Sequence, residues 1–228
     1  MNSRIAIIGG TGDLGYGLAL RWARAGVPVV IGSRDVQRAQ EAAARANAAL
    51  SDAPAKTLAV EGAVNPEAAA KASFVVVSVP FPAQAEILKS IRGSLKDSIV
   101  VDTTVPLAAT VGGKPTRTVG VWQGSAAEQA RELVPAAIPV LAAFHNVSAE
   151  AVQNLSQPLD CDVLVCGDDA AAKDRLFPLI QLIPGLRPVD AGPLEMARIV
   201  ESITALLLSL NRRYKVHHAG LRITGLPQ

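Results

Sequence analysis

The sequence predicts an α/β protein built on a doubly wound parallel sheet, with a smaller α/β unit at its C-terminal end. Three observations carry this. Short runs of β-branched and apolar residues alternate with helical stretches from residue 4 onward. A glycine turn, Gly10-x-Gly12-x-x-Gly15, lies between the first apolar run and the first helix. Beyond residue 147 a second, shorter strand–helix–strand pattern follows, so the expected division is 1–147 and 148–228.

Arg4 to Ile8 reads as a buried strand, and Leu14 to about Ala25 as the helix after it. A strand, a glycine turn and a helix in that order form a dinucleotide-binding fingerprint. Gly10 is expected to permit the tight turn, Gly12 to let a pyrophosphate approach the backbone, and Gly15 to let the helix pack on the strand. The helix N-terminus then offers free N–H groups and partial positive charge to the phosphates.

The second strand, Val27 to Ile31, ends in Gly32-Ser33-Arg34. A site for NAD carries an acid here, to hold the ribose 2′-hydroxyl. Ser33 and Arg34 instead suit a 2′-phosphate through charge-assisted hydrogen bonds, and Arg38 lies one helical turn further on the same face. The predicted cofactor is NADP.

Asp35 is placed to cap a helix running to about Leu50, followed by a third strand at Thr57 to Glu61. Asn65-Pro66-Glu67 has the form of a helix start, a cap followed by proline at the first helical position. A fourth strand at Phe74 to Val79 stops at Pro80-Phe81-Pro82, Ala83 to Ser90 is helical, and Ser98 to Asp102 is a fifth strand. Ligands of doubly wound sheets lie off the carboxyl ends of the strands, which puts Val79-Pro80-Phe81 and Thr103-Thr104-Val105-Pro106 beside the nicotinamide.

Leu107 to Gln123 loses periodicity, as functional or mobile loops do. Ser125 and Glu128 form a capping box for a helix to about Val134. A sixth strand, Pro139 to Phe144, leads to His145-Asn146-Val147. A strand at Asp162 to Cys166 then precedes Asp168-Asp169, read as a helix cap and a first-turn acid rather than a metal site. The helix runs to about Leu182, and a strand follows at Leu186 to Asp190. The last helix, Leu194 to about Arg213, carries more apolar residues than one buried stripe needs, so it is expected to pack on the small unit and on a second copy, as a homodimer. His217-His218 reads as a solvated pair near its end.

Composition bounds the function. Half of the 228 residues are apolar and 18% are charged, which fits a chain with a substantial core. A net charge of +2 argues for neither a nucleic-acid nor a membrane partner. No apolar run approaches the roughly 20 residues of a membrane span, and the N-terminus enters a strand without the pattern of a signal peptide. Cys161 and Cys166 have no neighbouring His in sequence to complete a metal site, so buried reduced thiols and a cytoplasmic location are expected.

The segments Gly9-Gly10-Thr11-Gly12-Asp13-Leu14-Gly15, Gly32-Ser33-Arg34, Cys166-Gly167-Asp168-Asp169 and Asp190-Ala191-Gly192-Pro193-Leu194 resemble the NADPH-dependent reductases of coenzyme F420, a deazaflavin. The resemblance covers nearly the whole chain, and Val165 through Leu194 is its most diagnostic part. It implies a Rossmann-type domain with a small C-terminal domain beside the nicotinamide, and reversible hydride transfer between nicotinamide C4 and deazaflavin C5. By resemblance, Thr11, Gly12, Asp13, Leu14, Ser33, Arg34, Arg38, Val79, Val105 and Ala149 correspond to NADP contacts, and His145 and Val147 to positions beside the deazaflavin. The sequence departs from the family around Phe81-Pro82, in the 107–124 loop and after Arg213, which bears on the acceptor more than on the cofactor.

The absences agree with such chemistry, in which a protein aligns two hydride carriers rather than abstracting a proton. There is no G-x-S-x-G motif, and Asn211 is preceded at four residues by Leu207 rather than by the Lys of a β-hydroxyacid dehydrogenase. His145 is the expected catalytic donor, holding a carbonyl or ring nitrogen of the deazaflavin. Two alternatives stay open at this point: another acceptor of NADPH hydride (a flavin, a ferric chelate or an imine), and a non-catalytic NADP sensor.

Overall fold

The structure is a computed structural model and describes residues 3–226. Six parallel strands form the main sheet: β1 (Ile5–Ile8), β2 (Val29–Ser33), β3 (Glu61–Val64), β4 (Phe74–Val77), β5 (Ile99–Asp102) and β6 (Val140–Ala142). Their spatial order is β3-β2-β1-β4-β5-β6, reversing direction of growth between β1 and β4. That reversal leaves a crevice at the carboxyl ends of the central strands, where ligands of such sheets bind.

The helices are α1 (Asp13–Arg24), α2 (Val36–Ala49), α3 (Asn65–Ala70), α4 (Phe81–Ile91), α5 (Ala126–Leu133), α6 (Ala149–Gln153), α7 (Ala170–Gln181) and α8 (Ala197–Tyr214). Successive side chains of β1 point to opposite faces of the sheet. Ile5 and Ile7 pack with Leu18, Trp22 and Ala42, whereas Ala6 and Ile8 pack with Ala68, Leu88 and Ala127. Both faces being covered, the central strands are apolar at every position rather than alternating. Each fully buried isoleucine or valine contributes about 1.5–3 kcal/mol to holding these layers together.

The second unit is a parallel pair, β7 (Cys161–Val165) and β8 (Leu186–Asp190), with α7 as the crossover. It is not separated from the sheet by a gap. Cys166 exchanges backbone hydrogen bonds of 2.8 and 2.9 Å with Ala142, the last residue of β6. Leu176 and Val163 join the core on one face, Leu164 and Val200 the core on the other. Trp22 of α1 spans the junction, its indole N–H donating to the Leu179 carbonyl at 2.8 Å.

The observed elements correct the expected ones in several places. The third strand pairs at Glu61–Val64 rather than Thr57–Glu61, because Thr57 to Val60 only runs up to the sheet, with the Val60 N–H held by Asn47 Oδ1 at 2.8 Å. The sixth strand stops at Ala142, since Phe144 turns the chain with a φ of +67°. Asn65 is not the cap of α3 but its first residue, after Val64. Asp169, not Asp168, caps α7 through the Ala172 N–H at 2.8 Å, while Asp168 accepts from the Leu194 N–H at 2.9 Å. Ser125 caps α5 by accepting from Glu128 N, but Glu128 pairs with Arg198 at 2.7 Å instead of returning the bond. The last helix begins as a 3-10 turn, Leu194–Met196, and the short helix α6 was not anticipated.

Candidate active site

Every group of interest sits at one edge of the sheet. The turn after β1 is tighter than the G-x-G-x-x-G pattern alone implies. Its left-handed residue is Gly9 (φ +82°), where a Cβ would lie 2.4 Å from the Ser78 carbonyl oxygen; Gly10 does not carry the positive φ. Gly15 has the packing role expected of it, with a Cβ there 3.0–3.1 Å from Gly10, Gly9 and Ile7. A Cβ on Gly12 would meet only the Gly9 carbonyl oxygen, at 3.4 Å, and otherwise project into open space. Gly12 is the N-cap of α1 and offers no side-chain cap, which leaves the first-turn amides for an anion.

A cavity of about 200 Å³ lies above this turn. Thr11 and Gly12 line one side, Ser33, Arg34 and Arg38 a second, and Val79 and Pro80 a third. Arg34 and Arg38 are exposed, and Asp35 is committed to capping α2 through the Gln37 N–H at 2.8 Å. Asp35 also lines the cavity, but neither arginine forms a salt bridge among the described residues, so both guanidinium groups are available to an anion. Such a site fits a pyrophosphate and a 2′-phosphate.

A larger cavity, about 540 Å³, reaches Asp13, the residue after Gly12. Asp13, His145, Val147 and Ala149 line it, with Thr204 and Leu207 from α8. Gly10 and Gly15 lie under the turn, while Leu14 packs into the core and Val105, half-buried, lines neither cavity. Ala149 thus sits with His145 rather than with the arginines.

His145 is 4% exposed, and neither ring nitrogen has a hydrogen-bond partner among the described residues. Burial holds its imidazole down at about 3, so it is neutral at physiological pH. The left-handed Phe144 before it aims it, at a conformational cost of roughly 1–3 kcal/mol for a non-glycine residue. Packing offsets that cost: the Phe144 ring is fully buried and meets Trp22 edge-on, at 5.7 Å and 89°. The Thr204 hydroxyl donates to the His145 carbonyl oxygen at 2.6 Å.

Behind β5 lies a buried polar network. Asp102 accepts from Gln84 Nε2 at 2.8 Å and from the Thr104 hydroxyl at 2.7 Å, and burial raises its carboxyl to about 6. Glu201 of α8 accepts from the Ala126 and Ala127 N–H groups, both at 3.0 Å, and burial raises it to about 8. These bonds tie α4, α5 and α8 to the strand end where a nicotinamide would lie.

Sequence reasoning missed Asn65 and Ser78 in the smaller cavity, and Thr204, Gln153 and Asn211 in the larger. Asn65 and Ser78 each follow a strand at the ligand edge, a signal that was available. Gln153 had none, for it belongs to α6, which exists because Arg21 of α1 donates to carbonyls of Ala151, Val152, Asn154 and Gln157. Cys161 and Cys166 are buried and free, as expected, and no metal-binding cluster occurs among the described residues.

A cation-lined pocket over a strand–glycine turn–helix, with an open cavity next to it in the chain, is the arrangement of an NADP-dependent oxidoreductase. The protein family described as NADP oxidoreductase, coenzyme F420-dependent, matches residues 4–106. The F420-dependent NADP reductase of Methanothermobacter thermautotrophicus is 48% identical over 229 aligned residues, 100% of this chain and 97% of the relative. That of Methanocaldococcus jannaschii is 41% identical over 98% of this chain and 99% of the relative. A solved chain from Arthrobacter sp. FB24 superposes with a TM-score of 0.82 at 25% identity, covering 98% of this chain and 100% of that one. The chain belongs to the F420-dependent NADP reductase family.

Proposed function

We propose that this chain transfers a hydride reversibly between NADP(H) and coenzyme F420. The observation that carries the reading is a pair of cavities that meet the chain at consecutive residues, one lined by Gly12 with Arg34 and Arg38, the other by Asp13 with His145, Val147 and Leu207. When both are bound, nicotinamide C4 supplies or receives the hydride and deazaflavin C5 is its partner. The relatives named above support F420 as that partner, and the open space of about 540 Å³ favours an enzyme over a sensor whose second site is filled.

Each part of the chain then has a task. The α1 amides and the Gly12 backbone hold the pyrophosphate, while Ser33, Arg34 and Arg38 hold the 2′-phosphate and exclude NAD by leaving its 2′-hydroxyl without an acid. Val79 and Pro80, at the end of β4, line the cavity and flank the nicotinamide. Val147 and Ala149 form the apolar floor of the second cavity. His145, neutral and unpaired, donates from a ring N–H to a carbonyl or ring nitrogen of the acceptor, where negative charge develops.

We assign residues 1–147 to nucleotide binding and 148–228 to completing the acceptor cavity. The exposed Ile199 and Leu206 of α8, 56% and 57% accessible, supply an apolar stripe for a second copy, giving a homodimer. Two free buried thiols fit a reducing cytoplasm, and no helix among the described residues is long and apolar enough to cross a membrane. Neither nucleic acid nor a membrane is a partner in this reading. The test is to mix the protein with NADPH and oxidised F420. Bleaching of the deazaflavin absorbance in step with NADPH oxidation supports the proposal; a protein that binds NADPH and leaves F420 oxidised refutes it.

A further inference from the structure

Asn65 has no structural employment that accounts for it. It is 3% exposed, yet its Oδ1 has no hydrogen-bond partner among the described residues. A buried amide oxygen left unpaired is costly and uncommon in folded proteins. Helix capping does not explain it, because Asn65 is the first residue of α3, the N-cap is Val64, and no side chain caps that end. The fold makes room for the amide. A Cβ on Gly32 would lie 2.9 Å from Asn65 Oδ1, so glycine at 32 preserves the space.

The side chain lines the smaller cavity, and the strand register says which end. Ser33 is paired with Val64 across β2 and β3, so Asn65 stands one residue beyond Ser33 on the neighbouring strand, beside Arg34 and Arg38. That is the adenosine end of a dinucleotide, away from His145. We infer that Asn65 is a nucleotide-binding residue whose side-chain amide hydrogen-bonds the adenosine 2′-phosphate half of NADP. Its side chain, an acceptor and a pair of donors on one carbon, matches the edge of an adenine or a ribose hydroxyl next to a phosphate. The inference rests on the cofactor reading above and adds a residue to it.

The measurement is binding of NADPH and of 2′,5′-ADP, which lacks the nicotinamide half, to wild type, Asn65→Ala and Asn65→Asp, with the melting temperature of each ligand-free protein. Asn65→Ala should weaken both ligands by the same factor, about three- to tenfold for one lost hydrogen bond from an adenine amino group or a ribose hydroxyl to Oδ1. Asn65→Asp, equal in shape, should weaken them further by facing a phosphate with a carboxylate. The ligand-free melting temperature should stay level or rise in Asn65→Ala, because an unpaired polar group has been removed. Unchanged affinity for 2′,5′-ADP overturns the inference, as does a loss confined to NADPH. Asn65→Ala that melts earlier without ligand, or fails to fold, assigns Asn65 to structure and overturns it as well; Asn65→Asp, which buries a carboxylate, is read for affinity alone. Wild type that binds neither ligand refutes the cofactor reading itself, a result separate from all of these.

Discussion

The Thr204 hydroxyl donates a 2.6 Å hydrogen bond to the carbonyl oxygen of His145, so the last helix holds the end of the sixth strand from across the acceptor cavity. His145 itself is fastened only by its backbone, by this bond and by the packing of Phe144 on Trp22. Its ring is left free to meet a ligand. His145→Ala should lower kcat with F420 by about 10–1000-fold, the range for losing one positioned donor. NADPH affinity should barely change, and His145→Gln should recover part of the rate. Thr204→Val should lower kcat less than His145→Ala while costing about 1 kcal/mol of stability. Steady-state kinetics of the three variants checks this, and wild-type turnover by His145→Ala would make the histidine structural.

Arg34→Asp should invert the preference between nucleotides. One charge-assisted bond to the 2′-phosphate, worth about 1.5–3 kcal/mol, is lost, and a carboxylate that can hold a ribose 2′-hydroxyl is gained. NADPH affinity should fall by about tenfold or more and NADH affinity should rise. Titration with both nucleotides decides it; unchanged discrimination removes Arg34 from the site.

The His145 imidazole sets an acid limb of stability. It titrates at about 3 when folded against an ordinary 6.5, so on acidification the unfolded chain takes up the proton first. Its contribution is whole above 6.5 and is lost as pH falls through the interval down to about 3. Asp102 and Glu201 act in the opposite sense: their carboxyls are raised to about 6 and about 8, so their contribution is whole at low pH and lost as pH climbs through those values. Melting curves should show His145→Gln with a flatter acid limb than wild type, and the kcat profile should show no ionisation near that of ordinary histidine. A kcat profile bending near 6.5 in wild type and not in His145→Gln would instead mark His145 as a proton-transferring group.

What could be read from sequence was what local chemistry dictates. The glycine turn, Ser33-Arg34 and the Asp35 cap are each set by a few adjacent residues, and their elements stand where they were expected. Errors arose where a distant partner decides. Thr57–Val60 has strand character, but pairing begins at Glu61 because Val30 of β2 takes Glu61 as its partner. The five residues of α6 are too few for a periodic signal, and they are organised by Arg21 more than a hundred positions away. Asn65 has the pattern of a cap, and that pattern hid its other signal, its place directly after a strand at the ligand edge, where its side chain lines the smaller cavity. The left-handed backbone at Phe144 had no trace in the residue type, since phenylalanine rarely adopts it.

The exposed stripe on α8 predicts self-association. Leu206→Glu would place a charge in an apolar contact between copies, so it should shift the protein toward the 23.7 kDa monomer in light scattering at micromolar concentration while leaving the melting of the isolated chain little changed. A wild type that is already monomeric removes the stripe as an interface.

Direct hydride transfer is the central claim, and isotope tracing tests it most directly. NADPH carrying deuterium at both C4 positions of the nicotinamide is oxidised by the protein with F420 in ordinary water, and the reduced deazaflavin is analysed for label. The account predicts one deuterium at C5 of each reduced F420, because the second cavity aligns the two carriers and the hydride passes between them without entering water. Reduced F420 whose C5 hydrogen comes from water would contradict it.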